Sequence, residues 1–280
     1  MSGTLPRRLW LEGCRPDGED TRLFDFSIDE PLERDLQAIP GQYFVLGVPG
    51  AGEAPFTFLE PPDEAGGFRA LIRRRGRLTS ALFALSPRSL LTYRGPCGSG
   101  WPLLIGKRRV LLIAAGHGLI ALASFVEEAH RLHLPHSLSL LHFTGAFPSV
   151  ALSAAKERWR AFSGIHEVPG GEGGDGQSLL LVERMIEQER PQAVLCCASE
   201  AFTQQVAEMC LDKGLGPERI WVHVERALTA GGVLPAYLHS TGVDDCPFWN
   251  GPVHRYDRYR LLTPGGGGHP PARPGEGKAL

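Results

Sequence analysis

The distribution of apolar residues changes character once along this chain, near residue 105. Before that point short alternating runs dominate: Thr21-Arg22-Leu23-Phe24-Asp25-Phe26, Tyr43-Phe44-Val45-Leu46-Gly47-Val48 and Phe68-Arg69-Ala70-Leu71-Ile72-Arg73, set apart by Pro and Gly turns. A period of two with one apolar face predicts β-strands, and short strands at this spacing predict an antiparallel barrel. From Lys107 onward, unbroken apolar runs alternate with helical spacing. Val110-Leu111-Leu112-Ile113, residues 137–143 and residues 193–197 read as strands buried on both faces of a parallel sheet. Residues 122–132, 178–189 and 203–213 read as amphipathic helices, the last ended by Gly214. This alternation predicts a doubly wound α/β domain.

Composition narrows the function classes. The 280 residues suffice for two cores, and a formal net charge of −2 gives no field that would draw nucleic acid or an anionic membrane. No apolar run approaches the ~20 residues needed to span a bilayer, and MSGTLPRRLWLEG lacks a signal-peptide core, so a cytoplasmic protein is expected. Six scattered cysteines without framework spacing are expected to be reduced thiols. From Pro264 the stretch PGGGGHPPARPGEGKAL has too little apolar surface to fold and is expected to be disordered.

A first chemical signal, weak when taken alone, is where the strand at Val110 runs into Gly116 and Gly118 and then a helix start. In an open α/β sheet such a turn lies at the carboxyl end of a strand, where free N–H groups and the positive helix end favour a phosphate or diphosphate. An ordinary βα turn has the same pattern. Three further stretches add to it: Pro40-Gly41-Gln42-Tyr43 followed by Glu53-Ala54-Pro55-Phe56-Thr57; Gly76-Arg77-Leu78-Thr79 before an apolar helix; and Arg94-Gly95-Pro96-Cys97-Gly98-Ser99-Gly100-Trp101. In order and spacing the chain resembles the ferredoxin–NADP reductase-like flavoproteins. Within them it is similar to the electron-transfer subunit of dihydroorotate dehydrogenase, the gamma subunit of soluble nickel-iron hydrogenases and the corresponding subunit of anaerobic sulfite reductase, from about Leu9 to Tyr259. The resemblance implies a β-barrel plus α/β architecture. A six-stranded antiparallel flavin-binding barrel would cover residues 1–104 and a doubly wound parallel-sheet nucleotide-binding domain 105–223, followed by a degenerate iron–sulfur-type lobe at 224–262 and a tail at 263–280.

The same resemblance implies FAD, with Phe56 as a wall for the isoalloxazine ring and Thr57 as a hydroxyl near its reactive nitrogen. Gly76, Leu78, Thr79 and Ser80 would form the diphosphate cradle, next to Arg73, Arg74 and Arg75, while Ala54 stands where many relatives carry an arginine. Read alone, Phe56 is equally a core aromatic and Thr79 an ordinary helix cap. On the nicotinamide side Gly116 and Gly118 are the binding glycines and Cys196 the residue near the ring. Three departures accompany them. Ala115 and Ala121 replace a glycine and a proline, Cys196-Cys197-Ala198 replaces Cys-Gly-Pro, and Phe147 stands where an arginine often meets the ribose. They imply weakened, altered or absent NAD(P)H binding, because a methyl at Ala115 would crowd a diphosphate or leave a positive-φ conformation.

In the lobe, the three thiolates expected of a [2Fe–2S] site fall on Ala230, Pro235 and Leu238; Cys246 alone remains, so no cluster is expected. Zinc at Cys246, His239, His254 and Asp244, or at His130, His133 and His136, matches no standard spacing. The sequence therefore points to an FAD-dependent electron-transfer subunit linking a nicotinamide nucleotide to a larger redox enzyme. The alternative is a non-catalytic docking or regulatory subunit that keeps the reductase fold.

Overall fold

The structure, a computed structural model, describes residues 5–104, 106–134, 137–145, 148–169, 176–224 and 252–262. Its first half contains β1 (Arg7–Pro16), β2 (Thr21–Ile28), a short α1 (Glu33–Leu36), β3 (Tyr43–Val48), β4 (Gly52–Thr57), β5 (Gly67–Arg73), α2 (Gly76–Phe83) and β6 (Leu90–Cys97). The strands form one six-stranded sheet in the order β4-β3-β6-β1-β2-β5, every neighbouring pair antiparallel. An antiparallel bridge between Glu60 and Arg69 brings the two edges together, so the sheet curls around its apolar face. That face is aromatic: Phe24, Phe26, Phe44, Phe58, Phe68 and Tyr93 are all buried in one cluster. The alternation that predicted three of these strands is what aims the rings inward.

At one end of the barrel, α1 carries Asp35 beneath the sheet. The Arg7 guanidinium donates to both its oxygens at 2.6 and 2.5 Å, and the Tyr93 hydroxyl donates at 3.3 Å. The carboxylate, fully buried, is thus paired and hydrogen-bonded, the condition under which a buried charge is tolerated.

The second half runs β7 (Arg109–Ala115), a 3-10 turn (Gly116–Gly118), α3 (Leu119–Arg131), β8 (Ser137–Phe143), α4 (Val150–Trp159), β9 (Ser163–Val168), α5 (Gly176–Glu189), β10 (Ala193–Cys197), α6 (Glu200–Asp212), β11 (Ile220–His223), β12 (Val253–Arg255) and α7 (Tyr256–Leu262). The sheet order is β12-β11-β10-β7-β8-β9, parallel except for β12. The chain leaves β7 in one direction for β8 and β9, then returns to the other side for β10 and β11. The seam between β7 and β10 is therefore the switch point, where open α/β sheets bind ligands. Leu112 and Leu195 face a core shared with α3 and α4, whereas Ile113 and Val194 face one shared with α5 and α6.

Both expected architectures are present, with additions. Helix α4 and strand β9 escaped the sequence pattern because α4 places Lys156 on its buried side and β9 is an edge strand with little apolar content. β12 extends the α/β sheet and α7 follows it, with Tyr256 and Tyr259 in the core, so this end of the chain packs with the α/β half. The rest of the expected lobe, with Ala230, Pro235, Leu238, His239, Asp244 and Cys246, lies outside the described residues, as do Phe147, His136 and the tail. Among the described residues no helix is long and apolar enough to cross a membrane.

The two halves share a core: Leu23, Leu59, Leu71, Trp101 and Leu104 pack with Leu119, Leu122 and Leu152. The Trp101 indole N–H donates to the Ala121 carbonyl at 2.5 Å, fastening the barrel's last turn to α3.

Candidate functional site

On the barrel side, β3 holds β4 in a register that sets Phe44 opposite Phe56 and Tyr43 opposite Thr57. Phe56 leans on Phe44 with ring centroids 6.1 Å apart and is half-buried, so part of its ring is free to meet another surface. Thr57 is also half-buried, and among the described residues its hydroxyl has no hydrogen-bond partner. The neighbouring Arg94 is held by an ion pair with Glu53.

The chain then enters α2 through a left-handed Gly76, φ +82°, with nothing within 4 Å of where a side chain would start. Thr79 is buried, and its hydroxyl accepts the Arg75 N–H at 2.6 Å while donating to the Gly76 carbonyl at 3.3 Å. It therefore shapes the turn instead of presenting its oxygen outward. Leu78 anchors the helix in the barrel core, and Ser80 is exposed. What remains at the helix start is a set of backbone N–H groups without intrahelical acceptors, beside an open glycine. Among the described residues the Arg75 guanidinium makes no hydrogen bond or ion pair, whereas Arg74 is paired with Asp20 at 2.8 Å.

On the α/β side, the two glycines after β7 do different work. Gly116 takes the positive φ, +53°, and faces open space. Gly118 is helical, but a Cβ there would lie 2.1 Å from the Cys197 carbonyl oxygen, so it lets α3 start against the end of β10. Ala115 is extended, φ −122° and ψ 130°, so the expected strain at its methyl does not arise. The His117 imidazole is held below its ordinary pKa, chiefly by burial and also by Arg73 and Arg75, with Asp17 opposing. The turn after β7, at the end of the α/β sheet where a ligand crevice is expected, thus lies within electrostatic reach of Arg73 and Arg75, just ahead of α2.

Cys196 does not join them. It is wholly buried on the opposite face of the sheet, its Sγ 3.8 Å from the Thr203 hydroxyl of α6, and burial pushes its thiol up to about 12. The expectation of a cysteine beside a bound nicotinamide is corrected by the register: successive strand residues face opposite sides, and Cys196 falls on the side of α5 and α6. Cys197, on the other side, packs into the α3 core.

The sequence also missed the polar groups beneath this crevice. The His142 Nε2–H donates to the Gly116 carbonyl at 3.1 Å, and Lys156 lies 3.4 Å from His142 Nδ1 while ion-paired with Glu167. Burial holds His142 down at about 4. Asp17, in the turn between β1 and β2, accepts from the Ser149 hydroxyl at 2.5 Å and the Ala151 N–H at 2.7 Å, capping α4 from the other half of the molecule. Pro148-Ser149 ahead of a helix was a readable cap signal, whereas the partner in the barrel was not. Among the described residues no cluster of His, Cys, Asp and Glu could hold a metal ion.

Comparison with known proteins agrees with this geometry. Residues 17–100 match the family model for the oxidoreductase FAD-binding domain. The structure superposes on phthalate dioxygenase reductase, described as a modular structure for electron transfer from pyridine nucleotides to [2Fe–2S], with a TM-score of 0.64 and 16% identity over 80% of this chain and 70% of that one. The chain has the two-domain fold of the ferredoxin–NADP reductase-like proteins, and its first half matches an FAD-binding family. Sulfhydrogenase 1 subunit gamma from Pyrococcus furiosus is 27% identical over 76% of this chain and 77% of its own length. A probable dihydroorotate dehydrogenase B (NAD(+)) electron transfer subunit from Methanopyrus kandleri is 28% identical over 63% of this chain and 65% of its own length, just under two thirds. In this superfamily fold the FAD-binding match spans the barrel from the turn after β1 to the end of β6, and so includes Phe56, Thr57 and the α2 turn.

Proposed function

We propose that this chain is an FAD-dependent electron-transfer subunit that carries electrons between a nicotinamide nucleotide and a larger redox enzyme, without a [2Fe–2S] cluster of its own. The observation that carries the reading is the open Gly76 turn at the start of α2, within a stretch that matches an FAD-binding family. A substituent at that position would face empty space, and the first-turn amides there suit a diphosphate. Leu78 and Thr79 keep the turn in shape, with Gly76 and Ser80 at its rim; Phe56 would wall the ring and the Thr57 hydroxyl would hydrogen-bond it. A bound flavin supplies the exchange between two-electron hydride chemistry and one-electron transfer. Gly116 would admit the dinucleotide diphosphate, with Gly118 keeping the helix tight behind it.

Relatives named as a sulfhydrogenase gamma subunit and an electron transfer subunit support a larger enzyme as partner. The absence of a cluster rests on the sequence alone, where Ala230, Pro235 and Leu238 stand at the expected thiolate positions. Burial of Cys196 favours a second reading, a docking or regulatory subunit with the same fold. Anaerobic addition of NADH to the FAD-loaded full chain separates the two, with iron and acid-labile sulfide measured on the same sample. Bleaching of the flavin with only trace iron is expected. Bound flavin that NADH leaves oxidised favours the second reading, and stoichiometric iron and sulfide overturn the cluster-free claim.

A further inference from the structure

We infer that the crevice after β7 and β8 takes NADH and discriminates against NADPH, and that Asp17, reaching over from the barrel, sets this choice. The inference rests on the nicotinamide half of the proposed function. NADPH differs from NADH by a doubly charged phosphate on the adenosine ribose. In doubly wound sheets that ribose lies at the end of the second strand, where an acidic group suits the free hydroxyl and a basic group the phosphate.

Here the second strand is β8, and the chain beyond it leans on the diphosphate turn. A side chain at Gly145 would start 3.4 Å from the Gly116 Cα. Four residues later comes Ser149, the cap of α4. The positive end of a helix so placed would ordinarily draw a phosphate, but it is already filled. Asp17 is 3% exposed, with one oxygen on the Ser149 hydroxyl and the other on the Ala151 N–H. The adjacent Gly18 packs so closely on the Pro148 carbonyl that a Cβ would meet it at 2.9 Å. A 2′-phosphate arriving at this corner meets a fixed carboxylate where it would need donors.

Nor do the described residues at this corner offer a cation to compensate. Residues 144–150 contain no Lys, Arg or His. Lys156 is buried and committed to Glu167, and Arg160 donates to the same carboxylate at 2.6 Å. His142 stays neutral near pH 7. Arg73 and Arg75 are felt at His117, on the diphosphate turn, and so favour the part that both dinucleotides share.

The test uses the full chain loaded with FAD. Flavin reduction is followed anaerobically against NADH and NADPH concentration, and 5′-ADP and 2′,5′-ADP are compared as competitors. NADH is expected to half-saturate at a concentration at least about tenfold below NADPH, and 5′-ADP to compete better than 2′,5′-ADP by a similar factor. In Asp17→Asn the amide can keep both contacts while losing the charge. It should narrow the gap several-fold, chiefly by improving NADPH, in a chain whose melt stays cooperative. Equal use of the two nucleotides overturns the preference in the unmodified protein, whatever the variant does. A gap that persists in a folded Asp17→Asn overturns the role of Asp17. An FAD-loaded chain that binds neither nucleotide and neither competitor overturns the inference together with the nicotinamide half of the proposed function, while the flavin half stands.

Discussion

Gly118 shows how one residue type carries two meanings. In the sequence it is half of a phosphate-binding pair with Gly116; in the fold only Gly116 faces open space, while Gly118 is the contact that lets α3 approach β10. Gly118→Ala is therefore expected to cost about 1–3 kcal/mol in urea unfolding, because the clash is with backbone and cannot relax by a side-chain rotation. Cys196 makes the same point from the other direction. Its position was readable by resemblance, but its direction depends on register, and the register turns it into the α6 core. With its thiol pushed up to about 12, it should resist alkylation in the native protein and react only after denaturation. Rapid labelling of Cys196 under native conditions would place it at the crevice after all. Asp17 was illegible for a different reason: its partner Ser149 is 132 positions away, and nothing local in a Pro-Asp-Gly turn announces a helix cap for another domain.

Among the secondary-structure elements, the strands with strict alternation and the wholly apolar strands were legible, since burial on one face or two leaves a periodic trace. Helix α4 was not, because Lys156 interrupts its buried side, and strand β9 was not, because an edge strand that exposes Gly164, His166 and Glu167 leaves little apolar trace. Helix α2 was legible as a helix, but the job of Thr79 was not. Its hydroxyl accepts the Arg75 N–H and thereby fixes the turn. Thr79→Val should leave that N–H without its partner, lowering stability by about 1 kcal/mol and weakening FAD binding measurably by equilibrium dialysis. Thr79→Ser should restore both. Helix α1 has a comparable single function. Its Asp35 answers Arg7 and Tyr93 beneath the barrel, so Asp35→Ala is expected to cost about 3–5 kcal/mol in chemical denaturation by leaving a largely buried guanidinium unpaired. A loss below about 1 kcal/mol would show that the ion pair contributes little.

The two halves of the molecule are joined by a shared apolar core and by polar contacts, and several histidines are buried or half-buried in the folded chain. His223 stacks obliquely on Trp101 at the seam, with neither ring nitrogen hydrogen-bonded among the described residues. Burial holds both His142 and His223 at about 4, against an ordinary 6.5, and it lowers His117 and His254 in the same direction. Between those two values the unfolded chain binds protons that the native chain does not. Stability should therefore be complete above about pH 6.5 and fall as the pH drops towards 4, by up to about 1.4 kcal/mol per pH unit for each such histidine. His223→Phe, which keeps the ring and removes its nitrogens, should flatten that slope in melts recorded across pH 4 to 7 if burial is its cause. A slope unchanged in the variant would assign the acid lability elsewhere.

The two-domain order was legible because each half has its own hydrophobic period, whereas the polar contacts that help fasten the halves, Asp17 to Ser149 and Trp101 to Ala121, have none. The claim on which the rest depends is that the barrel holds FAD. It is tested most directly by releasing and quantifying flavin from the purified full chain after incubation with excess FAD and removal of the unbound fraction. One FAD per chain, lost in a variant with bulk placed in the open turn such as Gly76→Trp, is the predicted result. A correctly folded chain that retains no flavin would contradict it.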